Sequence, residues 1–284
     1  MQASATTSWL SAIAGIQLLI AFSAGPAGAQ GAYVPPAFRT PSDNTTAFDG
    51  KGTETRLLAD EDFAPYSFRS ASGAPAGLAV ELALAACAEA NLKCSIEALP
   101  YDRLLEALAK GEGDAVIAGP RPDRQSLEMA SLTRPYFRIM ARFAVPSASQ
   151  LTSPSAESLA GKTIAVVKDT LHARWLAAYY PSSRITPVAT LAEAGQAMKD
   201  GKADALFGDN LQIVYWTTGE ASANCCRLLG GAFSDFDYFS RNLSVMVRKD
   251  RPDLRQAFDY GLDMAQKTGA TAKIITAYIP LNPW

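Results

Sequence analysis

The sequence predicts an α/β protein with two lobes, each a mixed, mainly parallel sheet with flanking helices. Short apolar runs alternate with stretches of helical spacing, and this alternation occurs in two separate series. A Ser- and Pro-rich stretch after residue 144 separates the two series. Strands that alternate with helices form sheets covered on both faces. Because 48% of the 284 residues are apolar, the chain can fill the cores that such sheets require.

The first series contains three strands and two helices. "TRLLAD", "CSIEAL" and "DAVIAG" are short apolar runs typical of buried strands. "GLAVELALAACAEA" and "YDRLLEALAKG" lie between them and have helical spacing, with Leu104, Leu105 and Leu108 on one face of the second helix. The order strand, helix, strand, helix, strand favours parallel pairing.

The second series repeats this order. "KTIAVV", "ITPV" and "ADALFG" are predicted strands, and they alternate with the predicted helices "LHARWLAAYY", "TLAEAGQAMKDGK" and "NLQIVYWTT". Thr190 with Glu193 three residues later is typical of a capped helix start. A last strand, "LSVMVRK", precedes closing helices in which Pro252 suits an early helical position.

The N-terminal stretch predicts export. An apolar core from about Trp9 to Phe22 is followed by Ala27-Gly28-Ala29, which is the pattern of a signal peptide cleaved after about Ala29. Residues 1–29 lack Lys and Arg, and their apolar core of about 14 residues is short for a membrane span. Residues 30–53 are rich in Pro, Gly, Ser and Thr, so we expect a disordered lead-in.

The remaining chain divides into two expected lobes. Residues 54–144 together with 232–284 form lobe 1, and residues 145–231 form lobe 2, so two hinge crossings connect them. Ligands of open sheets bind beyond the carboxyl ends of the strands. The segments that directly follow predicted strands are therefore the candidate site: 60–66, 119–124, 168–172 and 208–210.

Charge and histidine content exclude several functions. The chain has 26 basic and 28 acidic residues, and a net charge near −2 gives no case for binding nucleic acid or an anionic membrane. His172 is the only histidine, which argues against a His-rich metal cluster. We therefore expect neither a metal nor a cofactor.

Four cysteines form two pairs. Cys87 and Cys94 are either two buried thiols or a disulfide, and export favours the disulfide. Cys225 and Cys226 are adjacent, and the sequence leaves their state open.

Several motifs together resemble the family 3 bacterial extracellular solute-binding proteins, the polar-amino-acid receptors of ABC importers. They are "LLADEDFAPYSF", "GLAVELALAAC", "LPYDRLLEALAKGEGDAVIAG", "SLAGKTIAVVKDT", "GKADALFGD" and "DYFSRNLSVMVRKDRPDLRQAFDYGLDMAQKTGA", and the resemblance covers about Thr55 to Ile279. It implies a type II periplasmic binding protein fold, a periplasmic location, a monomer, and two partners: a small polar solute and the importer's membrane permease. The spacing of Cys87 and Cys94 resembles that of the disulfide in the basic-amino-acid members.

The resemblance also implies a set of ligand-binding residues: Arg124, Asp209, Phe63, Tyr101, Asp60, Gly119, Thr170, His172 and Arg121. Arg124 would pair with the ligand's α-carboxylate, because a guanidinium offers two parallel donors. Asp209 would take the α-ammonium group from across the cleft. Phe63 and Tyr101 would stack about the ligand side chain, and Asp60 would contact its cationic end.

Some of these residues have equally plausible structural roles. Asp209 is as well suited to cap the next helix as to bind a ligand, and Asp169 is favoured as a helix cap. The loop "GPRPDR" is about two residues shorter than in family members, and Asp169 stands where they have glycine. These changes leave room for a ligand with an extra acidic group at Arg121, or for a cation near Asp60, Asp62 and Asp169.

Two other functions are compatible with the sequence. "LTRPYF" faintly resembles the accessory binding proteins of periplasmic quinoprotein dehydrogenases. A cleft enzyme similar to cyclohexadienyl dehydratase would need a general acid, for which Asp169 or His172 could serve. A hydrolase has little support, since the sequence lacks a G-x-S-x-G elbow. We therefore predict a binding protein rather than an enzyme.

Overall fold

The chain forms two five-stranded sheets and one small three-stranded sheet. A computed structural model describes residues 47–119, 122–239 and 242–278, and all of these belong to one compact unit. The predicted signal peptide and most of the predicted lead-in lie outside the described residues, as does Arg121. Of the residues that the structure describes, no helix is both long and apolar enough to cross a membrane.

The elements follow one another in the alternating order that the sequence predicts. The strands are β1 (Thr53–Asp60), β2 (Asp62–Phe63), β3 (Ser67–Arg69), β4 (Pro75–Ala76), β5 (Leu92–Leu99), β6 (Ala115–Ala118), β7 (Ala130–Leu132), β8 (Ala141–Pro146), β9 (Thr163–Val167), β10 (Arg184–Val188), β11 (Ala205–Asp209), β12 (Cys226–Phe233) and β13 (Met246–Arg248). The helices are α1 (Leu78–Glu89), α2 (Leu104–Ala109), α3 (Arg124–Met129), α4 (Leu171–Tyr179), α5 (Leu191–Lys199), α6 (Asn210–Thr218), α7 (Phe236–Phe239), α8 (Pro252–Lys267) and α9 (Ala270–Tyr278). Short 3-10 turns occur at Tyr101–Arg103 and Glu220–Ser222.

The first large sheet has the strand order β5-β1-β6-β13-β7. Strand β1 pairs in parallel with β5 and β6, whereas β13 pairs antiparallel with β6 and β7. The carboxyl ends of β1 and β6 therefore lie at one edge of the sheet, and they end at Asp60 and just before Gly119. This edge carries the candidate residues of the first lobe.

The second large sheet has the order β10-β9-β11-β8-β12, with β9 parallel to β10 and β11 and with β8 antiparallel to β11 and β12. In both large sheets three parallel strands are extended by two further strands that join through antiparallel pairings, which confirms the predicted mixed α/β fold. Residues 141–144, which the sequence analysis gave to lobe 1, belong to β8 and hence to the second sheet. The boundary of the first lobe therefore lies before Ala141 in the structure.

Helices α1 and α8 cover one face of the first sheet, and their backbones approach closely at Gly261. A Cβ atom at this position would lie 2.1 Å from the backbone oxygen of Ala86. Leu82 of α1 and Phe258 of α8 are buried in the same apolar cluster. Glycine at 261 thus allows the two helices to pack at a distance that any side chain would increase.

The last residues of the expected lead-in are ordered, which corrects the prediction for residues 47–53. The amide of Gly50 donates to the backbone oxygen of Ala90 at 2.9 Å, and Phe48 packs against the first core. Thr53 already begins β1. Composition alone suggested disorder, but these backbone hydrogen bonds join the segment to the turn before β5.

Both cysteine pairs form disulfides. The predicted Cys87–Cys94 bond is confirmed, and it joins the end of α1 to β5 with a Cα–Cα distance of 6.2 Å. The adjacent Cys225 and Cys226 are also bonded to each other.

The helix starts follow the predicted capping residues with one exception. Thr190 accepts a hydrogen bond from the amide of Glu193 at 3.1 Å, and Pro252 lies at the start of α8. The prediction that Asp169 caps α4 is wrong, because Thr170 is the capping residue and accepts from the amide of Ala173. Asp169 instead has a φ of 59°, a left-handed conformation that aspartate tolerates better than most residues.

Candidate functional site

A cavity of about 280 Å³ lies where the carboxyl ends of strands from both large sheets meet. Its walls combine two carboxylates with aromatic and aliphatic side chains. The lining residues are Asp60, Phe63, Tyr101, Gly119, Ile139, Thr170, Leu171, His172, Asp209, Gln212, Tyr238, Phe239 and Leu243. Seven of these, Asp60, Phe63, Tyr101, Gly119, Thr170, His172 and Asp209, are among the nine residues that the sequence analysis selected.

The first lobe contributes a carboxylate and two aromatic rings. Asp60 ends β1, is only 7% exposed, and accepts a hydrogen bond from the amide of Asp62 at 3.0 Å. Phe63 is stacked on Tyr66 with ring centroids 4.7 Å apart, while Tyr101 is half exposed. Gly119 follows β6, and a Cβ atom there would lie 2.5 Å from Leu104. Glycine is therefore required where β6 turns into the cavity wall.

The second lobe contributes the start of α4. The Thr170 hydroxyl donates to the backbone oxygen of Val167 at 2.7 Å and accepts from the amide of Ala173 at 3.1 Å. His172 stacks on Phe239, with ring centroids 5.2 Å apart and an interplanar angle of 23°. Both residues hence reach the cavity from the first turn of a helix that follows a buried strand.

Asp209 combines the two roles that the sequence left open. It ends β11 and caps α6, since its Oδ1 accepts from the amide of Gln212 at 2.9 Å. The same carboxylate lines the cavity and is only 6% exposed. The predicted capping role is confirmed, and the ligand-binding role stays a prediction.

Tyr66 of the first lobe contacts this carboxylate of the second lobe. Its hydroxyl donates to Asp209, at 3.1 Å from Oδ1 and 3.2 Å from Oδ2. A second link joins the same elements, because the Gln212 side-chain amide donates to the backbone oxygen of Ala64 at 3.0 Å. The turn between β2 and β3 is thus joined to the start of α6.

Burial changes the acidity of these groups. Burial raises the pKa of Asp209 from 3.8 to about 6, against the opposing effect of the hydrogen bonds from Gln212 and Tyr66. Burial also raises the pKa of Asp60. The pKa of Tyr66 lies well above its ordinary value because the ring is buried beside a carboxylate, so the hydroxyl stays protonated and donates. A positive charge in the cavity would therefore stabilise both carboxylates in their ionised form.

The structure does not place Arg124 in the cavity, contrary to the expectation that it faces Asp209. Its side chain is 96% exposed, and its Nε lies 3.7 Å from Glu128 Oε1 one turn along α3. Asp123 caps α3 by accepting from the amide of Ser126 at 2.7 Å, so Arg124 occupies the first helical position and extends into solvent. Arg121 lies outside the described residues, and its predicted role is untested.

Leu171 lies in the candidate segment 168–172, although it was not selected as a ligand-binding residue. The lining residues outside all candidate segments were not predicted: Ile139, Gln212, Tyr238, Phe239 and Leu243. Gln212 could have been found, because a helix capped by Asp209 directs its first turn towards the same space as the cap. Tyr238 and Phe239 belong to α7, a short helix between β12 and β13 that no periodicity indicated. They reach the site only through the tertiary fold.

The site offers acidic, aromatic and amide groups but no evident metal centre. Among the described residues, no group of three or more His, Cys, Asp or Glu side chains could hold a metal ion. Aromatic ring faces attract cations, and carboxylates neutralise them. The arrangement can therefore bind a small positively charged organic group.

The chain is similar to several bacterial proteins that bind small solutes. A putative ABC transporter arginine-binding protein 2 of Escherichia coli is 25% identical over 214 residues, which cover 75% of this chain and 86% of the relative. A periplasmic binding protein of Salmonella typhimurium with high arginine specificity is 23% identical, with a TM-score of 0.61 over 80% of this chain and all of that one. The second substrate-binding domain of Lactococcus lactis GlnP, in an open conformation, is 18% identical, with a TM-score of 0.71 over 84% of this chain and all of that one.

The relatives of known structure share the arrangement of two large sheets, and at these identities they establish the fold alone. Membership of a family rests on the match of residues 56–280 to the bacterial extracellular solute-binding proteins, family 3. This range includes both large sheets except the first three residues of β1, and, apart from Arg121, every residue selected for the site lies in its described part. The chain belongs to the bacterial extracellular solute-binding proteins, family 3.

Proposed function

We propose that the protein captures a small polar solute with a positive charge, an amino acid or amino-acid derivative, and presents it to the membrane permease of an ABC importer. The observation that carries this proposal is the pair of buried carboxylates, Asp60 from the first lobe and Asp209 from the second, on one cavity. Burying carboxylates without a counter-charge is costly, and a bound cation offsets that cost.

The aromatic residues support the same ligand chemistry. Phe63 and Tyr101 line the cavity from one lobe and Tyr238 and Phe239 from the segment after β12. Ring faces stabilise ammonium and guanidinium groups while they exclude water. Two of the relatives are named as arginine-binding proteins, and arginine has a cationic side chain.

Capture would involve movement of the lobes. Residues from both large sheets line the cavity, so a hinge motion at the two crossings would enclose a ligand between them. We propose lobe 1 as residues 54–140 with 242–284 and lobe 2 as the intervening segment, because β12 continues to Phe233 in the second sheet and Tyr238 and Phe239 pack in the second core, whereas the expected boundary lay at residue 232. The protein would act as a monomer in the periplasm after removal of its signal peptide. Binding would require no chemical step, so no residue is assigned as catalytic.

The proposal is tested by a melting-temperature screen of the mature protein against amino acids and their derivatives, followed by calorimetry on each stabilising compound. We expect stabilisation by cationic compounds and a Kd of about 1 μM or lower. Asp60→Asn should weaken binding at least about tenfold, because it removes one buried charge without changing the shape of the side chain. Asp62→Asn is the matched control, since Asp62 is exposed and does not line the cavity.

Other results would contradict the proposal. A protein that no small cation stabilises would favour the accessory role of the quinoprotein dehydrogenase systems. Turnover of a prephenate-type acid would instead identify a cleft enzyme. If Asp60→Asn and the unchanged protein bind the ligand equally well, the Asp60 carboxylate does not contribute to binding.

A further inference from the structure

We propose that the preferred ligand is a cation without a carboxylate group, such as an alkyl amine, a diamine or an alkyl guanidine, rather than a zwitterionic amino acid. This inference rests on the proposed function and narrows its ligand class. It follows from the charges on the cavity wall and from the placement of the groups that would otherwise receive an α-carboxylate.

The charged side chains among the described lining residues are the two carboxylates, Asp60 and Asp209. They come from opposite lobes, so a ligand between them meets negative charge on both sides. A diamine could satisfy both with one positive group at each end. An α-amino acid brings a carboxylate into the same small cavity, where like charges repel strongly because little water screens them.

The arginine that would hold an α-carboxylate is engaged elsewhere. Arg124 is 96% exposed and lies beside Glu128 on the outer side of α3. The capping box of Asp123 and Ser126 fixes this first turn of the helix. A ligand carboxylate in the cavity would therefore lack this partner in the conformation described here.

The side chain at the start of α4 has no spare donor for an anion. The Thr170 hydroxyl already donates its proton to the backbone oxygen of Val167, and it accepts from the amide of Ala173. Asp169 precedes Thr170 in a left-handed conformation and adds a negative charge to the same turn. This exposed charge does not line the cavity, but it opposes the attraction of the helix N-terminus for an anion.

The remaining wall suits an alkyl chain. Ile139, Leu171 and Leu243 are aliphatic, and Phe63 and Phe239 present apolar rings. A chain of methylene groups between two positive ends would contact these surfaces, and about 280 Å³ accommodates a small ligand of that shape.

Matched pairs that differ only in the carboxylate test the inference. Arginine and agmatine, lysine and cadaverine, ornithine and putrescine, and histidine and histamine are titrated into the mature protein by calorimetry. We expect the amine of the best-bound pair to bind at least about tenfold more tightly than its amino acid. Tighter or equal binding of the amino acid in that pair overturns the inference but leaves the proposed function intact. Absence of binding by all eight compounds overturns both.

Two variants provide a second test. Arg124→Ala should leave the affinity for the amine and for the amino acid unchanged within about twofold, since the side chain lies in solvent. A loss of about tenfold or more for the amino acid alone would show that Arg124 reaches the ligand when the lobes close, which contradicts the inference. Asp209→Asn should reduce the preference for the amine, because one of the two repelling carboxylates is removed. An unchanged preference in this variant also contradicts it.

Discussion

Replacing Asp209 by asparagine should change how the stability of the protein depends on pH. Asp209 is buried, caps α6 and accepts a hydrogen bond from Tyr66. Asparagine has nearly the same shape, and its carbonyl oxygen can accept the hydrogen bond from the amide of Gln212. The substitution therefore removes the titrating group and leaves most of the local geometry intact.

The magnitude follows from the pKa of the buried carboxyl group. Its pKa in the folded protein is about 6, compared with an ordinary value of 3.8. Because this pKa is raised, the folded protein binds more protons than the unfolded chain between about pH 4 and pH 6. The free energy of unfolding thus decreases as pH rises through that window, and a shift of roughly two units corresponds to about 3 kcal/mol.

The assay is urea unfolding, followed by far-ultraviolet circular dichroism, at several pH values between about 4 and 7.5. The quantity of interest is the free energy of unfolding of the unchanged protein minus that of Asp209→Asn. The contributions of the other titrating groups are the same in both proteins and cancel in this difference. We expect the difference to fall by about 3 kcal/mol from the lowest to the highest pH.

Asp123 offers a control whose pKa shift has the opposite sign. It also caps a helix, but it is exposed, and its hydrogen bonds with Ser126 lower its pKa. Stability from Asp123 is therefore fully present above its ordinary pKa of 3.8 and is lost only as pH falls below that value, so the difference curve for Asp123→Asn should be nearly flat across the assay range and should not fall as pH rises. A flat or rising curve for Asp209→Asn would refute the argument that burial dominates the acidity of this carboxyl group.

Three further substitutions test the packing around the site. Tyr66→Phe removes a hydroxyl donor to a buried carboxylate and should lower the free energy of unfolding at about pH 7.5 by about 1–3 kcal/mol; no loss would mean that water replaces the hydroxyl. Joint replacement of Cys87 and Cys94 by serine should lower the free energy of unfolding by about 2–3 kcal/mol relative to the oxidised protein. If dithiothreitol leaves the stability of the unchanged protein the same, the disulfide is not formed. Gly261→Ala should lower the free energy of unfolding by about 1–3 kcal/mol, because the new Cβ atom would meet the backbone of α1. Gly231→Ala is the control, since the space at its Cβ position is open, and it should change the free energy of unfolding by less than about 1 kcal/mol. Similar losses in both variants would exclude close helix packing as the cause.

The parallel strands were predictable because they are short, apolar and separated by helices of clear periodicity. β6 and β11 are buried along their whole length. β8 was not predicted as a strand, and its first residues were given to lobe 1, because it pairs antiparallel with distant segments and has Arg142 at a position only 3% exposed. Burial lowers the pKa of this guanidinium, and no local rule predicts a buried arginine in a central strand.

The site was predictable where residues directly follow parallel strands. Asp60, Gly119 and Asp209 end or follow β1, β6 and β11, and the sheet topology brings them together. Arg124 also follows a strand, but Asp123 starts a helix before it and directs its side chain away. Tyr66 was missed because its contact with the second lobe depends on how the two sheets pack, which spacing along the chain does not encode.

Asp209 can bind a ligand without releasing any of its structural partners. An ionised carboxylate has about four acceptor positions. The amide of Gln212 uses one of these, the amide of Leu211 uses a second, and the single proton of the Tyr66 hydroxyl, nearly equidistant from both oxygens, uses a third. An ammonium or guanidinium group in the cavity could therefore donate to the remaining acceptor position while α6 stays capped and the link to Tyr66 stays closed. Since a cation also favours the ionised form, its binding would strengthen these existing hydrogen bonds, which are stronger to a charged acceptor than to a neutral one. Ligand binding would thus tighten the connection between the two lobes.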